Sequence, residues 1–331
     1  MFARKTILAI AFGSILFVAP LSASAASLTS NQIQAILGLL QAFNVEASVM
    51  ANVSLALGLT TVPTTTPDPS TDVSDTYVRP SIADSLYRSS SLGYDISYST
   101  RDYPVPPFGF AVIGVTAGKA FTHNPRLASE FSWAGLSSTN APTIYLNLNA
   151  PYGSAAISEN VSGPMTCADP FGDAVYSAFA GGTYPDPAPC AGYNFGYNTA
   201  KDALAYSSSQ SISSPHLWWL DIEEANSWSD NKEVNRQVIQ GAIDYLNKQN
   251  IRVGIYSVPY MWRKIAGEGF SPKETLRGSD SPVPTWFPIG ISNQVNATNA
   301  CLTHESFIPG SPVWIIQYVL DSVAVDQNVA C

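Results

Sequence analysis

The chain has 331 residues, of which 46% are hydrophobic and 12% are charged, and its formal net charge is −9 at pH 7. A chain of this length and apolar content can bury one large core and a small second unit. The acidic balance and the absence of any basic patch argue against nucleic acid as a partner.

The first 26 residues have the pattern of a secretory signal peptide. Arg4 and Lys5 precede an apolar run over residues 7–20, and Ala23-Ser24-Ala25 has the small-x-small pattern of a cleavage site. The apolar run is too short to span a membrane comfortably, and no later stretch is long enough, so the mature chain is expected to have no transmembrane span. The pattern therefore predicts a protein that is secreted or held in the cell envelope, outside the cell after signal cleavage.

Residues 27–59 have the apolar spacing of a small helical hairpin. Ser30 can cap a first helix whose apolar positions recur every three or four residues, and Gly58 can end a second helix. The stretch resembles the short helical peptidoglycan-binding-like repeats of exported bacterial proteins, which would make it a wall-binding module. A helical spacer that docks elsewhere is the alternative. Residues 60–91, rich in proline, threonine and serine, are expected to form a linker and a transition.

From residue 92 to residue 331, short apolar strands alternate with amphipathic helices. Several strands are apolar on both faces, which is typical of a parallel sheet covered by helices. Eight strands over this length predict an α/β fold of the TIM-like (β/α)8 barrel type, with an open doubly wound sheet as the alternative. No glycine-rich phosphate loop follows the first strand, so a nucleotide-binding version lacks support. The predicted strands are 92–97, 108–115, 143–148, 218–223, 252–257, 284–287, 312–318 and 323–326.

Four cysteines, Cys167, Cys190, Cys301 and Cys331, allow three disulfide pairings. Export permits disulfides, and the pairs 167–190 and 301–331 are favoured because each closes one local loop. The first pair would staple a glycine- and proline-rich excursion over residues 150–193. A zinc site is the alternative, but there is no C-x-x-C pair and little histidine, so neither a metal nor any other cofactor is expected.

Residues 216–228 carry the strongest chemical signal, because four large apolar residues run directly into three carboxylates. Asp221 and Glu223 are two positions apart, so on an extended chain they point to the same side. Two acids side by side at a strand end can hold different protonation states. Asp95 ends the first predicted strand and Asp326 ends the last, so in a closed barrel all four acids would share the catalytic rim. The alternative is a buried strand followed by a solvated acidic turn.

The same strand contains two adjacent tryptophans, Trp218 and Trp219. Successive side chains of a strand point to opposite faces. One tryptophan is therefore expected inside the barrel and the other beneath the helices.

Three motifs stand in order at predicted strand ends. They are Gly93-Tyr94-Asp95-Ile96-Ser97, Leu220-Asp221-Ile222-Glu223, and Ile316-Gln317-Tyr318 followed by Val325-Asp326-Gln327-Asn328. Together they resemble glycoside hydrolase family 25, the lysozyme-like muramidases, over about residues 92–328. The sequence departs from the family pattern at Ile316, where the family has tryptophan. The excursion over residues 150–193 and the two proposed disulfides are also not part of that pattern.

The resemblance implies a (β/α)8 barrel that hydrolyses the β-1,4 bond between N-acetylmuramic acid and N-acetylglucosamine. It implies Glu223 as general acid, with Asp221 or the substrate's own acetamido group stabilising the anomeric centre. Asp95 and Asp326 become supporting carboxylates. The side chains expected to bind substrate are Tyr145, Tyr256, Gln317, Tyr318 and Glu224.

Two functions remain open at this level. The first is a secreted glycoside hydrolase that cleaves peptidoglycan or another cell-wall polysaccharide through Glu223 and Asp221. The second is a binding protein that holds such a glycan on the same barrel without cleaving it. Retention of all four acids favours the enzyme, because a binding protein has no need for a buried acid pair.

Overall fold

The fold is described from a computed structural model, which describes residues 85–137, 140–151, 159–167, 188–212, 215–274, 281–320 and 325–331. The predicted signal peptide, the helical hairpin and residues 60–84 of the linker lie outside these ranges. The described residues belong to one compact unit, Thr76–Cys331.

Eight strands close into a barrel in the order β1-β10-β9-β8-β5-β4-β3-β2, and a short hairpin of β6 and β7 stands apart. This confirms the predicted α/β barrel, with strands near the predicted positions. The barrel strands are Leu92–Ile96 (β1), Phe110–Gly114 (β2), Thr143–Asn147 (β3), Leu217–Asp221 (β4), Arg252–Tyr256 (β5), Thr285–Ile291 (β8), Val313–Val319 (β9) and Asp326–Ala330 (β10), and the hairpin is Lys273–Glu274 (β6) with Ser281–Pro282 (β7).

Five helices accompany the strands among the described residues. They are Leu127–Ala134 (α1), Pro189–Ser209 (α2), Lys232–Lys248 (α3), Pro259–Ile265 (α4) and Gln294–Thr303 (α5). A side chain from the preceding loop caps α3: Asn231 accepts a hydrogen bond from the amide of Glu233.

The last strand runs opposite to its neighbours, because β10 pairs antiparallel with both β1 and β9. Asp326 therefore begins this strand, whereas the sequence predicted that it would end a strand over residues 323–326. The reason is the short connection from β9, since a parallel return needs a crossover of about a dozen residues or more. The reversal puts the first residue of β10 at the same rim as the last residues of the parallel strands, so Asp95 and Asp326 are register partners.

Two layers of apolar side chains lie on the two sides of the barrel wall. Trp219 packs in the interior layer with Phe110, Trp286 and Trp314, whereas Trp218 packs in the outer layer with the helices. The expected division between the two tryptophans is confirmed. Tyr87, which the sequence placed in the transition before the barrel, belongs to the interior layer and bonds Thr143 and the Trp219 indole.

Large interior rings are accommodated by glycines on the neighbouring strands. Gly114 stands beside Tyr145 in register, and Gly254 stands beside Trp219. A Cβ on either glycine would overlap the facing ring. The alternation of glycine and aromatic residue therefore keeps the interior close-packed.

Helices α2 and α3 pack with their backbones in close approach. A Cβ on Gly196 would overlap the carbonyl oxygen of Val238, and a Cβ on Gly241 would overlap that of Tyr193. The absence of side chains at these two positions lets the helices lie close together on the outside of β3, β4 and β5.

Both predicted disulfides form. Cys167–Cys190 ties the segment after β3 to the first turn of α2, and Cys301–Cys331 ties α5 to the chain just beyond β10. The second bond braces the strand that carries Asp326. Most of the predicted excursion, residues 152–158 and 168–187, lies outside the described residues.

Candidate active site

A cavity of about 460 Å3 opens at the rim formed by the C-terminal ends of the parallel strands. Its lining includes the carboxyl groups of Asp95, Asp221, Glu223 and Asp326, together with the exposed carboxyl group of Asp102. The barrel topology thus brings together all four acids that the sequence predicted at this rim. They come from three strands: β1, β4 with its continuation, and β10.

The segment that carries Asp221 and Glu223 is held on both sides. The amide of Ile222 donates to the carbonyl of Tyr256 at 3.0 Å, and the Ser257 hydroxyl donates to the carbonyl of Ile222 at 2.8 Å. The Trp228 indole donates to the carbonyl of Glu223 at 2.8 Å. These bonds continue the extended path beyond the last residue of β4, so the two acids point to the same side, as their spacing predicted.

Asp95 receives two hydrogen bonds from side-chain amides. Asn328 Nδ2 donates to Asp95 Oδ1 at 2.7 Å and Gln317 Nε2 donates to the same oxygen at 3.0 Å. The Trp286 indole donates to Asn328 Oδ1 at 2.8 Å, and the Tyr256 hydroxyl donates to Gln317 Oε1 at 2.9 Å. Because each amide oxygen is already engaged by a donor, both NH2 groups are directed at the carboxyl group of Asp95.

Asp221 is held in a similar way, but by one amide only. Thr116 donates to Asn147 Oδ1 at 2.6 Å, and Asn147 Nδ2 in turn donates to Asp221 Oδ2. The other carboxyl oxygen, Oδ1, is buried and has no hydrogen-bond partner among the described residues. An unpaired buried oxygen is costly, which marks Asp221 Oδ1 as a position that a proton or a ligand would satisfy.

Burial and mutual repulsion raise the pKa values of all four acids. The pKa of Asp95 rises from 3.8 to about 8 because of burial and the nearby Asp326, with Glu223 adding a smaller effect, although Gln317 and Asn328 oppose the shift. Burial, then Glu223 and Asp95, hold the pKa of Asp221 well above its ordinary value. Burial and Asp326 raise the pKa of Glu223, and burial raises that of Asp326. Each of the four groups therefore keeps its proton to higher pH than an isolated carboxyl group does.

Aromatic side chains form one wall of the cavity. Tyr145, Tyr256 and Trp286 line it, and the ring of Tyr256 meets that of Trp286 edge-on with centroids 4.7 Å apart. Burial and the neighbouring carboxyls raise the pKa values of both tyrosines well above 10, so the phenols stay protonated and can donate hydrogen bonds. Of the residues predicted to bind substrate, Tyr145, Tyr256 and Gln317 therefore line the cavity.

Two predicted substrate-binding residues lie elsewhere. Tyr318 is buried on the opposite face of β9 from Gln317, against α5, where its hydroxyl donates to Gln327 Oε1 at 2.7 Å. The prediction failed because β9 is apolar on both faces, so its sequence does not show which side faces inward. Glu224 also lies outside the cavity, since its carboxylate pairs with Lys264.

Sequence reasoning missed several residues of the site. Asn147, Trp286 and Thr116 are neutral and belong to none of the three motifs, and Asn328 ends the third motif but was given no role, so only strand register could have indicated what these residues do. The loop after β1 was also missed. The residues of this loop that line the cavity are Ser97, Ser99, Thr100, Arg101 and Asp102.

Within the described ranges, no cluster of three or more histidine, cysteine, aspartate or glutamate side chains has an arrangement suited to a metal ion. The same part of the chain contains no helix both long and apolar enough to cross a bilayer.

The family profile described as Lys-1, lysozyme-like protein 1, matches residues 128–309, which is more than half of the chain. The chain belongs to the lysozyme-like protein 1 family. The match confirms the lysozyme-like resemblance in the sequence. The matched region begins after Asp95, includes Asp221 and Glu223, and ends before Asp326.

The solved structures similar to this chain include an autolysin, the catalytic domain of an endolysin and a spore cortex lytic enzyme. The modular autolysin LytC from Streptococcus pneumoniae is 13% identical with a TM-score of 0.41, over 72% of this chain and 46% of that one. The catalytic domain of endolysin ply40, from bacteriophage P40 of Listeria monocytogenes, is 18% identical with a TM-score of 0.36, over 72% and 92%. The Clostridium perfringens spore cortex lytic enzyme SleM is 12% identical with a TM-score of 0.40, over 73% and 67%.

The lysozyme-like protein thus spans about half the length of the autolysin it matches. No curated protein matches it significantly.

Proposed function

We propose that the protein is a glycoside hydrolase that cleaves the glycan of the bacterial cell wall, with the muramidase bond of peptidoglycan as its target. The observation that carries the proposal is the group of four carboxyl groups with raised pKa values in one cavity of a lysozyme-like barrel. Glycoside hydrolysis needs a protonated acid and a negative or polar partner on either side of one sugar bond. A site that holds shared protons among close carboxyls supplies both.

Glu223 is the proposed general acid. Burial and Asp326 raise its pKa, so Glu223 keeps its proton to higher pH than an ordinary glutamate does. Among the described residues no side chain or amide donates to its carboxyl group, and it lines the cavity. The proton is therefore free to move to the glycosidic oxygen as the bond to the anomeric carbon breaks.

Asp221 is the proposed partner at the anomeric centre. Its Oδ1 is unpaired while Asn147 fixes Oδ2, so one oxygen is positioned and available. This oxygen can stabilise the positive charge that develops on the sugar, or it can orient the substrate's acetamido group to do so. Water then attacks the anomeric carbon and restores the proton to Glu223.

Asp95 and Asp326 are proposed to tune the pair rather than to react. They stand side by side across β1 and β10, and each is held near a neighbour whose charge would repel its own. Asp326 is the charged neighbour that raises the pKa of Glu223, and it also raises that of Asp95.

The test measures reducing ends released from purified peptidoglycan. Wild type and Glu224→Gln should release reducing ends at similar rates, whereas Glu223→Gln should lose at least about 100-fold in kcat. Glu224 is the matched control because it is the adjacent residue and pairs with Lys264 outside the cavity. If wild type releases no reducing ends but still co-sediments with the wall, the protein is a glycan-binding protein and the hydrolase proposal is wrong. Equal rates for wild type and Glu223→Gln would show that another carboxyl is the acid.

We further propose that the protein acts outside the cell after removal of residues 1–26, and that residues 27–59 form a wall-binding module joined by the linker at 60–91. The signal pattern and the two disulfides support export. Sequencing the amino terminus of the protein from culture medium tests the first part. Pull-down of wall material by the full chain and by a chain beginning at residue 60 tests the second.

A further inference from the structure

The loop between β1 and β2 forms a polar wall of the cavity. Its residues 97–102 are fixed by their own turn, in which the Thr100 amide donates to the Ser97 carbonyl at 2.9 Å and the Ser97 amide donates to Thr100 Oγ1 at 3.2 Å. Arg101 and Asp102 stand at the end of this turn, with exposed side chains that line the cavity.

The helix that follows β2 holds this loop from outside. The guanidinium of Arg126 donates to the carbonyl of Thr100 and to the hydroxyl of Tyr103 at 2.5 Å, on either side of Arg101. The same guanidinium lies 3.8 Å from the buried carboxylate of Glu130. The structural role of a cation in this region is thus taken by Arg126, so Arg101 is not needed to hold the loop.

No described residue pairs with the charge of Arg101. Five carboxylic side chains line the same cavity, yet Arg101 forms no ion pair and no hydrogen bond with any described residue, and it is the one cation among the described lining residues. The pKa values of the four catalytic-rim acids are raised by burial and by one another, and Arg101 contributes to none of these shifts. It is therefore not the counter-ion of the acid cluster.

A guanidinium without a partner among the described residues can bind an anionic group of a substrate in an otherwise acidic cavity. A glycan that carries carboxylates is repelled by the acid cluster, whereas a neutral glycan is not. A guanidinium at the edge of the cavity offers a planar pair of donors that matches a carboxylate. A site for a neutral chain of N-acetylglucosamine has no use for such a group.

We propose that Arg101 binds a carboxylate of the substrate and so makes the site selective for acidic, carboxylate-bearing amino-sugar glycans over neutral ones. This inference rests on the proposed hydrolase function and names the substrate group, a carboxylate, that the same cavity binds. In peptidoglycan the carboxylate is either that of the lactyl ether on the sugar or one on the attached peptide.

The experiment compares three substrates: glycan strands stripped of peptide, strands that retain peptide, and neutral chito-oligosaccharides. Arg101→Ala should lower kcat/KM on the acidic strands by about 10- to 100-fold, mainly through KM, and leave the neutral substrate within about twofold of wild type. Arg101→Lys should recover part of the loss. A loss on stripped strands assigns the lactyl carboxylate, and a loss confined to peptide-bearing strands assigns the peptide. Lys119→Ala is the control, since it removes the same charge from the exposed loop after β2.

Equal losses on acidic and neutral substrates, or no loss on the acidic strands, would overturn the role of Arg101. So would a matching effect of Lys119→Ala, because the contribution would then be one of general charge. If wild type cleaves none of the three substrates, the hydrolase function fails, and calorimetric binding decides the present inference separately. Weaker binding of acidic strands by Arg101→Ala than by wild type would support it, and equal binding would overturn it.

Discussion

Replacing Tyr256 by phenylalanine removes a single hydroxyl from the wall of the cavity and leaves the ring in place. That hydroxyl donates to Gln317 Oε1 at 2.9 Å, and Gln317 is only 6% exposed. Leaving a buried acceptor without its donor costs about 1–3 kcal/mol. For a domain of this size each kcal/mol corresponds to about 2–4 °C in Tm, so thermal unfolding should shift down by about 2–12 °C.

Activity should fall for a separate reason. Without the Tyr256 hydroxyl, the amide of Gln317 is no longer held with its NH2 group toward Asp95, which loses one of its two donors. Because Asp95 keeps its proton up to about pH 8, this is a hydrogen bond to a neutral group, which contributes about 0.5–1.5 kcal/mol. We expect kcat on peptidoglycan to fall by about 2- to 12-fold. If Tyr256 instead served only to hold substrate, KM would rise while kcat stayed unchanged.

Tyr318→Phe is the matched control. It also removes a hydroxyl that donates to a buried glutamine oxygen, that of Gln327 at 2.7 Å, but it lies on the other face of β9. Its loss of stability should resemble that of Tyr256→Phe, with kcat within about twofold of wild type. Equal losses of activity in the two variants would mean that stability alone explains the effect. Full activity in Tyr256→Phe would refute the proposed orientation of Gln317.

Three further outcomes follow from the packing and charge of the domain. Because the pKa of Asp95 is about 8 in the folded protein and 3.8 is its ordinary value, the folded domain holds a proton that the unfolded chain has lost between about pH 4 and pH 8. The free energy of unfolding should therefore fall as pH rises through that window. In thermal melts at pH 4 and pH 8, Asp95→Asn should show a smaller difference in Tm between the two pH values than wild type does, and equal differences would contradict the raised pKa. Replacing Cys301 and Cys331 together by serine opens a loop with a sequence separation of 30 and should lower the free energy of unfolding by about 3.5 kcal/mol in urea titrations; no change would show that the bond adds nothing. Gly196→Ala should destabilise the α2–α3 contact by about 1–3 kcal/mol although alanine favours helix, while the exposed Gly135→Ala should be neutral or slightly stabilising in the same titration.

The alternation of side chains along a strand explains both the successes and the failure of the site prediction. Asp221 and Glu223 were expected on one side because they are two apart, and they share the cavity. Trp218 and Trp219 were expected on opposite sides and pack in different layers. For Tyr318 the same rule gave no answer, since neighbours on both sides of it are apolar and buried, and only the barrel shows that Gln317 faces inward.

The direction of the last strand shows what a linear pattern leaves out. The carboxylate of Asp326 was expected at the rim because it ended a predicted strand. It reaches the rim because it begins an antiparallel one. The two errors, in strand position and in strand direction, cancel at this residue. Counting the few residues between β9 and β10 would have indicated the reversal, because a chain that short cannot return to the other end of the barrel.

The sequence by itself favoured the barrel over an open sheet, favoured the two disulfide pairs over the other pairings, and predicted four acids at one rim. These expectations depend on periodicity, on loop length and on charges that stand out among apolar residues. Only the tertiary structure decided which neutral groups serve those acids. Trp286, Asn328 and Asn147 come from strands far apart in the chain, and they meet Asp95 or Asp221 through register across the barrel. A hydrogen bond depends on distances of a few tenths of an ångström and on which atom donates, and neither is written in the spacing of residues along a chain.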